Sequence, residues 1–333
     1  MMTTELSVVV PCFNEEDALP TFFKEVLPRV DAEMHGDWEV IVVDDGSFDG
    51  TWEVIRAQSD QDKRIHGISL SRNFGHQPAV DTGLVFASGK YIAVLDCDLQ
   101  DPPDILIELI RKVKNEGYDV CYGRRGKRDA PFGLRLLYKL FYRLMALSAE
   151  NTWPLDAGDF CVFNRRMLHA LLAMPENIRM LRRLRAWVGL KQGYVTYDRP
   201  ARTNGTSKYS LLKLASLASR AFVGFSQIPL RLASVIGFCM AVVSVLLGIF
   251  FLANRLIPEL TPFDYYIGKN PGVTTVVILM LFISSFLFLC LGIIGEYLGV
   301  VLREVKRRPT AIVQATAGNP KPQVREAPIV VLP

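Results

Sequence analysis

An alternation of short apolar runs and helix-length segments in the first part of the chain most strongly constrains the fold. Four apolar runs predict buried strands at residues 6–10, 38–43, 65–70 and 91–95. The segments between them predict helices at about 15–30, 51–59 and 77–87. Connections of this length are what parallel neighbouring strands require. The sequence therefore predicts an α/β fold with a mostly parallel sheet.

Acidic residues follow two of these strands directly. Asp96 and Asp98 come after the run at 91–95, and Asp44 and Asp45 come after the run at 38–43. Side chains alternate along an extended chain, so Asp96 and Asp98 point to the same side, and parallel sheets bind ligands at the carboxyl ends of their strands. Close carboxylates resist burial unless they share a proton or a metal. A solvated acidic turn is the alternative for either pair alone; together they favour Mg²⁺ or Mn²⁺ with a nucleotide diphosphate.

The C-terminal third contains two long uncharged stretches. Residues 232–254 lie between Arg231 and Arg255, and residues 270–295 lie between Lys269 and Glu296. Each stretch is long enough to cross the ~30 Å hydrocarbon layer, although a buried core helix is the alternative. Basic residues are concentrated on the outer flanks of the pair, which predicts cytoplasmic ends. We therefore expect a two-helix transmembrane hairpin over 232–300.

Two segments before the hairpin have the composition of membrane-surface helices. In the first, at about 132–149, apolar residues recur at helical spacing while Arg135, Lys139 and Arg143 share another face. An ordinary surface helix packed on the domain is the alternative. The second segment is 208–231, directly before the first uncharged stretch. The end of the chain, 301–333, is basic and then without periodicity, so we expect a flexible cytoplasmic tail.

Three motifs in fixed order resemble the inverting GT-A glycosyltransferases of family two. They are Pro11-Cys-Phe-Asn-Glu15, Asp44-Asp-Gly-Ser-Phe-Asp-Gly-Thr51 and Asp96-Cys-Asp-Leu-Gln-Asp-Pro-Pro103. The last of these, with Gly123-Arg-Arg125, Gly158-Asp-Phe160 and Arg202-Thr-Asn-Gly-Thr-Ser-Lys208, resembles the polyprenyl-phosphate branch, which includes dolichyl-phosphate mannose synthase. Phe225-Ser-x-x-Pro-Leu-Arg231 before the uncharged stretches is most similar to the bactoprenol glucosyltransferases. The resemblance implies a GT-A catalytic domain over 1–207.

The resemblance also implies a role for each matching residue. Catalytic roles fall to Asp98, Asp159 and Arg202. Nucleotide contacts fall to Pro11, Glu15, Asp44, Asp45 and Asp96. The metal ligands are Asp98, Asp96 and Gln100. The lipid phosphate would meet Arg124, Arg135, Lys139, Arg202 and Lys208, although the family often has a hydroxyl residue at Lys139. His76 is expected to be structural or a weak substrate contact.

The implied reaction is transfer of a hexose, glucose from UDP-glucose, to undecaprenyl phosphate with Mg²⁺ or Mn²⁺. Another nucleotide sugar as donor, a processive synthase and a non-catalytic membrane scaffold are the alternatives. We expect a multi-pass homo-oligomer in the bacterial inner membrane, with the catalytic domain in the cytoplasm. The net charge of +4 is too small to indicate a nucleic-acid partner.

Overall fold

The computed structural model describes residues 4–126, 157–176, 179–198, 272–323 and 329–331, with eight helical residues between 233 and 246. The chain divides into two compact units. The first comprises Met1–Ala146, Glu150–Ser207 and Lys306–Pro333, and the second comprises Leu147–Ala149 and Lys208–Val305. All the strands that the structure describes belong to the first unit.

The elements alternate as the sequence predicts over the first part of the chain. The strands are β1 (Leu6–Cys12), β2 (Trp38–Asp44), β3 (Ile65–Leu70), β4 (Tyr91–Val94), β5 (Val120–Arg125), β6 (Ala157–Asn164), β7 (Gln192–Tyr197), β8 (Ala311–Ala317) and β9 (Ile329–Val331). The helices are α1 (Ala18–Met34), α2 (Thr51–Gln61), α3 (His76–Phe86), α4 (Pro103–Asn115), α5 (Arg165–Leu172), α6 (Leu181–Val188) and α7 (Gly272–Val305).

The described strands form one sheet in the order β7-β5-β6-β4-β1-β2-β3-β8-β9. Its centre, β4-β1-β2-β3, is parallel throughout. Three described strands run opposite to the central ones: β6 is antiparallel to β4 and β5, β8 is antiparallel to β3, and β9 is parallel to β8. The prediction of a mostly parallel α/β sheet is confirmed. Because the four central strands share one direction, their carboxyl ends lie at the same edge.

Both faces of the central sheet are covered. In β1, Val8 and Val10 pack into a core with α1 and α4, whereas Val9 packs into the core on the opposite face with α3. All three side chains are fully buried. A strand that is buried on both faces has no polar side to alternate with, so it appears in the sequence as a continuous apolar run.

Local sequence signals explain where α4 begins and which face it buries. Pro103 occupies the first turn, where the missing N–H costs no hydrogen bond, and Asp104 lies at the positive end of the helix. Lys112 and Lys114 lie in the last turn, at the negative end. The buried residues follow helical spacing: Leu106, Leu109, Ile110 and Val113. The first turn and the buried face of α4 thus fix the direction of the helix that follows the Asp96–Asp101 turn.

Among the described residues, one helix is long and apolar enough to cross a membrane, where the sequence predicts two. Its 21-residue span, Phe282–Leu302, lies within α7 and begins later than the predicted stretch at 270–295. Most of the first predicted stretch, 232–254, lies outside the described residues. The predicted surface helices at 132–149 and 208–231 lie outside them as well.

The expectation of a flexible tail was wrong for residues 311–317. They form β8, which pairs with β3, and Ala311 and Val313 are fully buried. The backbone of β3 would otherwise present unpaired N–H and C=O groups at the sheet edge, and β8 satisfies them. The short run Ala311-Ile-Val313 gives no sequence signal for this pairing, because its partner strand lies far away in the chain.

Replacing Val313 by Ala tests whether the tail belongs to the core. The change removes two buried methyl groups, so we expect the first unit to lose about 2 kcal/mol of unfolding free energy. Denaturant unfolding of the full chain in detergent measures this loss. Thr316→Ala, on the exposed side of the same strand, is the matched control and should change stability little. Equal stability of both variants and the wild type would mean that the tail does not pack on β3.

Candidate active site

A cleft of about 340 Å³ opens at the carboxyl edge of the central strands. It is formed by the turns that follow β1, β2, β3 and β4. Five residues that the sequence predicts for the donor and metal sites line it: Pro11, Glu15, Asp45, Asp96 and Asp98. His76, which is expected from the sequence to be structural or a weak substrate contact, lines it too. The structure therefore gathers motifs that are separated by more than 80 positions into one site.

Asp45 fixes one wall of the cleft. Its two carboxylate oxygens accept hydrogen bonds from the backbone N–H groups of Phe74, at 2.7 Å, and Gly75, at 2.8 Å. Burial and the nearby Asp44 carboxylate raise the pKa of Asp45, although the two backbone donors act in the opposite direction. The bonds tie the turn after β2 to the loop after β3, which leads into α3.

Asp44 supports the same turn from within the protein. It is 2% exposed and is not among the residues described as lining the cleft. Its Oδ1 accepts a hydrogen bond from Ser47 N at 2.9 Å, and its Oδ2 accepts one from Ser69 Oγ at 3.1 Å. Ser69 is in β3, so the Asp44 carboxylate joins the ends of two neighbouring strands.

Asn14 joins the end of β1 to the turn after β2. Its backbone N–H donates to Ser47 Oγ, and its side-chain oxygen accepts from Phe48 N, both at 2.9 Å. Asn14 has φ +55°, a left-handed conformation that Asn tolerates better than most residues. The next residue, Glu15, donates its N–H to Thr51 Oγ1 at 2.8 Å. These contacts explain why an Asn-Glu pair follows β1, and they place Glu15 at the cleft.

The acidic pair after β4 enters the cleft as predicted. Asp96 Oδ1 lies 2.9 Å from His76 Nε2, and Asp98 Oδ1 accepts a hydrogen bond from Gln100 N at 3.1 Å. Burial lowers the pKa of His76, but the hydrogen bond and charge of Asp96, with the charges of Asp159 and Asp45, raise it overall. The imidazole thus orients Asp96, and the surrounding carboxylates favour its protonated form.

Gln77 connects Asp159 to this site. Its Nε2 donates to Asp159 Oδ2 at 2.9 Å, and its Oε1 accepts from Leu181 N at 2.8 Å, the first residue of α6. The other Asp159 oxygen, Oδ1, is buried and has no hydrogen-bond partner within the described part of the chain. Sequence reasoning did not single out Gln77. The available signal was the polar run Asn73–Gln77 after β3, at the ligand-binding edge.

The residues after β4 fit a divalent cation. No group of three or more His, Cys, Asp or Glu side chains among the described residues could enclose a metal alone. Asp96 and Asp98 nevertheless supply hard carboxylate oxygens in one cleft, and Mg²⁺ is often held by one or two carboxylates plus phosphate oxygens and water. Gln100 contributes its backbone N–H to Asp98. The donor set is thus that of a cation bound together with a phosphate-bearing substrate.

Of the predicted lipid-phosphate residues, the structure describes one. Arg124 is exposed on β5, with its guanidinium carbon 5.1 Å from the centre of the Tyr194 ring. Stacking on an aromatic ring leaves the edge of a guanidinium free to donate. The other four residues, Arg135, Lys139, Arg202 and Lys208, lie outside the described residues. Their roles stay predictions.

Comparison with known proteins identifies the family. Residues 7–172 match the model described as glycosyl transferase family 2. Over 315 residues, the chain is 36% identical to an uncharacterised glycosyltransferase of Bacillus subtilis, with 94% of each chain covered. The chain belongs to glycosyl transferase family 2. It is therefore a transferase enzyme, and the predicted GT-A, Rossmann-like α/β fold is confirmed.

Two further similarities are informative about this family 2 glycosyltransferase. It is 32% identical over 320 residues to the SfII prophage-derived bactoprenol glucosyl transferase of Shigella flexneri, covering 95% of this chain and all of the relative. Among solved structures, it is similar to glucosyl-3-phosphoglycerate synthase from Mycobacterium tuberculosis in complex with UDP. That similarity has a TM-score of 0.45 and 20% identity, over 66% of this chain and 78% of the other.

A buried ion pair includes Asp81 of α3, the helix that carries His76 and Gln77. Arg179 Nε is 3.0 Å from Asp81 Oδ2, and both side chains are less than 10% exposed. Arg179 also donates to the carbonyl oxygens of Met174 and Leu171. Burial raises the pKa of Asp81 to about 6, against the lowering effect of Arg179. The pair joins α3 to the segment that leads into α6.

Replacing Gly46 by Ala should damage the site more than the same change elsewhere. Gly46 has φ +68°, and an added Cβ would overlap the backbone of Arg72 and lie 2.7 Å from Asn73 N. We expect a loss of at least about 2 kcal/mol of unfolding free energy, measured by denaturant unfolding. Gly36→Ala is the matched control, because Gly36 has φ +87° but open space around it. Equal stability of the two variants would mean that contact with Arg72 and Asn73 does not constrain this turn.

The raised pKa of Asp81 predicts a pH-dependent stability. Between its ordinary value of 3.8 and about 6, the folded state binds the proton more tightly than the unfolded state does. The contribution of Asp81 to stability therefore falls as pH rises from 4 to 7, by roughly 2 kcal/mol. The measurement is the difference in unfolding free energy between wild type and Asp81→Asn at each pH. A difference that stays constant from pH 4 to 7 would contradict the assignment.

Proposed function

We propose that this glycosyltransferase transfers glucose from UDP-glucose to undecaprenyl phosphate, releasing UDP. The convergence of Glu15, Asp45, Asp96 and Asp98 in one cleft carries the proposal. That arrangement suits a nucleotide diphosphate with a divalent cation. The relatives named bactoprenol glucosyl transferase, which match almost the whole chain, support the choice of sugar and acceptor.

The donor lies with its nucleoside against Pro11, Glu15 and Asp45. Carboxylates accept hydrogen bonds from a base N–H or a ribose hydroxyl, as acidic residues do at other strand-end nucleotide sites. Asp44 keeps the turn that carries Asp45 in place through Ser47 and Ser69. Asp98, with Asp96 and Gln100, holds Mg²⁺ or Mn²⁺. When bound, that cation neutralises the charge of the diphosphate.

The acceptor phosphate needs little activation. The second pKa of a phosphate monoester is about 6, so most of it is a dianion at neutral pH. One of its oxygens forms a bond to the anomeric carbon while the bond from that carbon to the diphosphate breaks on the opposite face. The configuration inverts, and no proton has to move. Asp159, held by Gln77, thus acts as an orienting group rather than as a general base.

Basic residues bring the two anionic substrates together. Arg124, with Arg135, Lys139, Arg202 and Lys208, binds the acceptor phosphate, because guanidinium groups make paired hydrogen bonds to phosphate oxygens. The apolar span in α7, with the stretch at 232–254, anchors the enzyme as a multi-pass protein of the bacterial inner membrane. Its catalytic domain and C-terminus face the cytoplasm, and homo-oligomerisation stays a prediction.

A donor panel tests the proposal. Membranes containing the enzyme are incubated with undecaprenyl phosphate, Mn²⁺ and one labelled nucleotide sugar at a time, and the lipid is extracted. Label from UDP-glucose in a lipid phosphate with inverted anomeric configuration supports the proposal. Label from a different nucleotide sugar would keep the chemistry and correct the donor. No lipid label from any donor would overturn undecaprenyl phosphate as the acceptor.

Replacing Asp98 by Asn tests whether this carboxylate is needed for the cation, as distinct from the effect of losing any acidic residue nearby. The change removes a charged ligand with little change in size, so we expect turnover to fall at least about 100-fold. Asp104→Asn is the matched control: Asp104 lies six positions away, on α4, with an 83% exposed side chain, and should retain activity. If the Asp98→Asn variant has the same turnover and the same dependence on Mn²⁺ as the wild type, Asp98 is not the metal ligand.

A further inference from the structure

A β-bulge in β8, the strand formed by the tail, places a side chain beside Ser69, which contacts Asp44. Ser69 is paired with Ala315 and Leu70 with Val313, so Gln314 is the extra residue between two pairs that are consecutive on β3. A bulge of this kind redirects a side chain, and such bulges are common beside active sites. Here it brings Gln314 Nε2 to 3.1 Å from Ser69 Oγ. The backbone nearby is fixed by Ser71 N, which donates to Ile312 O at 2.9 Å.

The Gln314 contact continues to the nucleotide turn. Ser69 Oγ donates to Asp44 Oδ2, and Asp44 Oδ1 accepts from Ser47 in the turn before α2. A serine hydroxyl has one proton but can accept two hydrogen bonds. Because the Gln314 amide donates to the Ser69 oxygen, the hydroxyl proton is left for the Asp44 carboxylate. Successive hydrogen bonds of this kind polarise and strengthen one another.

We propose that Gln314 is a positioning residue for donor binding. It acts through Ser69 to hold Asp44, and hence the Asp44–Ser47 turn that carries Asp45 into the cleft. The inference rests on the proposed function, since it takes that cleft as the site of the nucleotide. It gives the tail of the chain a role in substrate affinity in addition to its packing on β3.

The position of Gln314 separates this role from a packing role. Gln314 is exposed, whereas Ala311 and Val313, which provide the packing of β8, are fully buried. Ser69, by contrast, is 2% exposed, as is Asp44. Loss of an exposed amide changes the core little, but it frees a buried hydroxyl to rotate away from a buried carboxylate. The effect should therefore appear in ligand affinity before it appears in stability.

Two substitutions at Gln314 test the proposal in the full-length enzyme in detergent. Gln314→Leu removes the donor, so we expect the Kd for UDP with Mn²⁺ and the KM for the nucleotide sugar to rise about 5-fold, while kcat changes less than about 2-fold. Gln314→Glu keeps the shape but competes with Asp44 for the Ser69 proton and adds negative charge, so its loss should be larger, about 10-fold. Thr316→Ala, the exposed control on β8, should match the wild type in all three constants.

A double-mutant cycle tests whether Gln314 acts on Asp44 through Ser69. Ser69→Ala should weaken UDP binding as Gln314→Leu does, and adding Gln314→Leu to Ser69→Ala should cause little further loss. Independent, additive losses would overturn the proposed path through Ser69. Wild-type affinity in both Gln314 variants would overturn the role of Gln314 and leave the proposed function standing. If the wild type itself binds no UDP, the proposed function fails and the inference fails with it.

Discussion

The parallel pairing of β4, β1, β2 and β3 is the constraint on which the site depends. Hydrogen bonds between these strands bring their carboxyl ends to one edge, so the turns that follow them must face one another. Glu15, Asp45 and Asp96 leave three different strands, yet they line one cleft. The three side chains need no direct bond to one another, because the pairing of the strands already brings them close together. The apolar cores on both faces keep those strands in register.

The cleft concentrates negative charge, and the protein moderates it in two ways. Asp44 and Asp45 are buried, and each accepts hydrogen bonds from donors fixed by the fold, which lowers the cost of burying a carboxylate. Asp96 instead lies beside the imidazole of His76. Asp98 lines the cleft and is partly exposed. An acidic pocket of this kind has low affinity for a bare diphosphate and becomes suitable for one together with a cation.

Much of the fold and part of the site could be predicted from the sequence. The central strands are buried on both faces and appear as continuous apolar runs, so β1 to β4 were correct to within two residues. Asp96 and Asp98 could be placed because they follow β4 at the carboxyl edge of the parallel sheet, although β4 ends at Val94 and strand alternation does not extend to them. His76, Gln77 and Gln314 could not be placed, since their roles depend on partners that tertiary pairing brings near. β8 was missed for the same reason: seven residues of mixed polarity become a strand only beside the open edge of β3.

The distance in sequence between Ser69 and Gln314, 245 positions, has a consequence for biogenesis. A ribosome completes β1 to β7 long before it reaches the strand that covers the edge of β3, and the apolar helix α7 is made in between. The edge of β3 in the nascent sheet therefore stays unpaired until translation of α7 has ended. A chain that stalls or is cleaved after α7 carries the whole segment that matches its family and still lacks two strands of its sheet, β8 and β9.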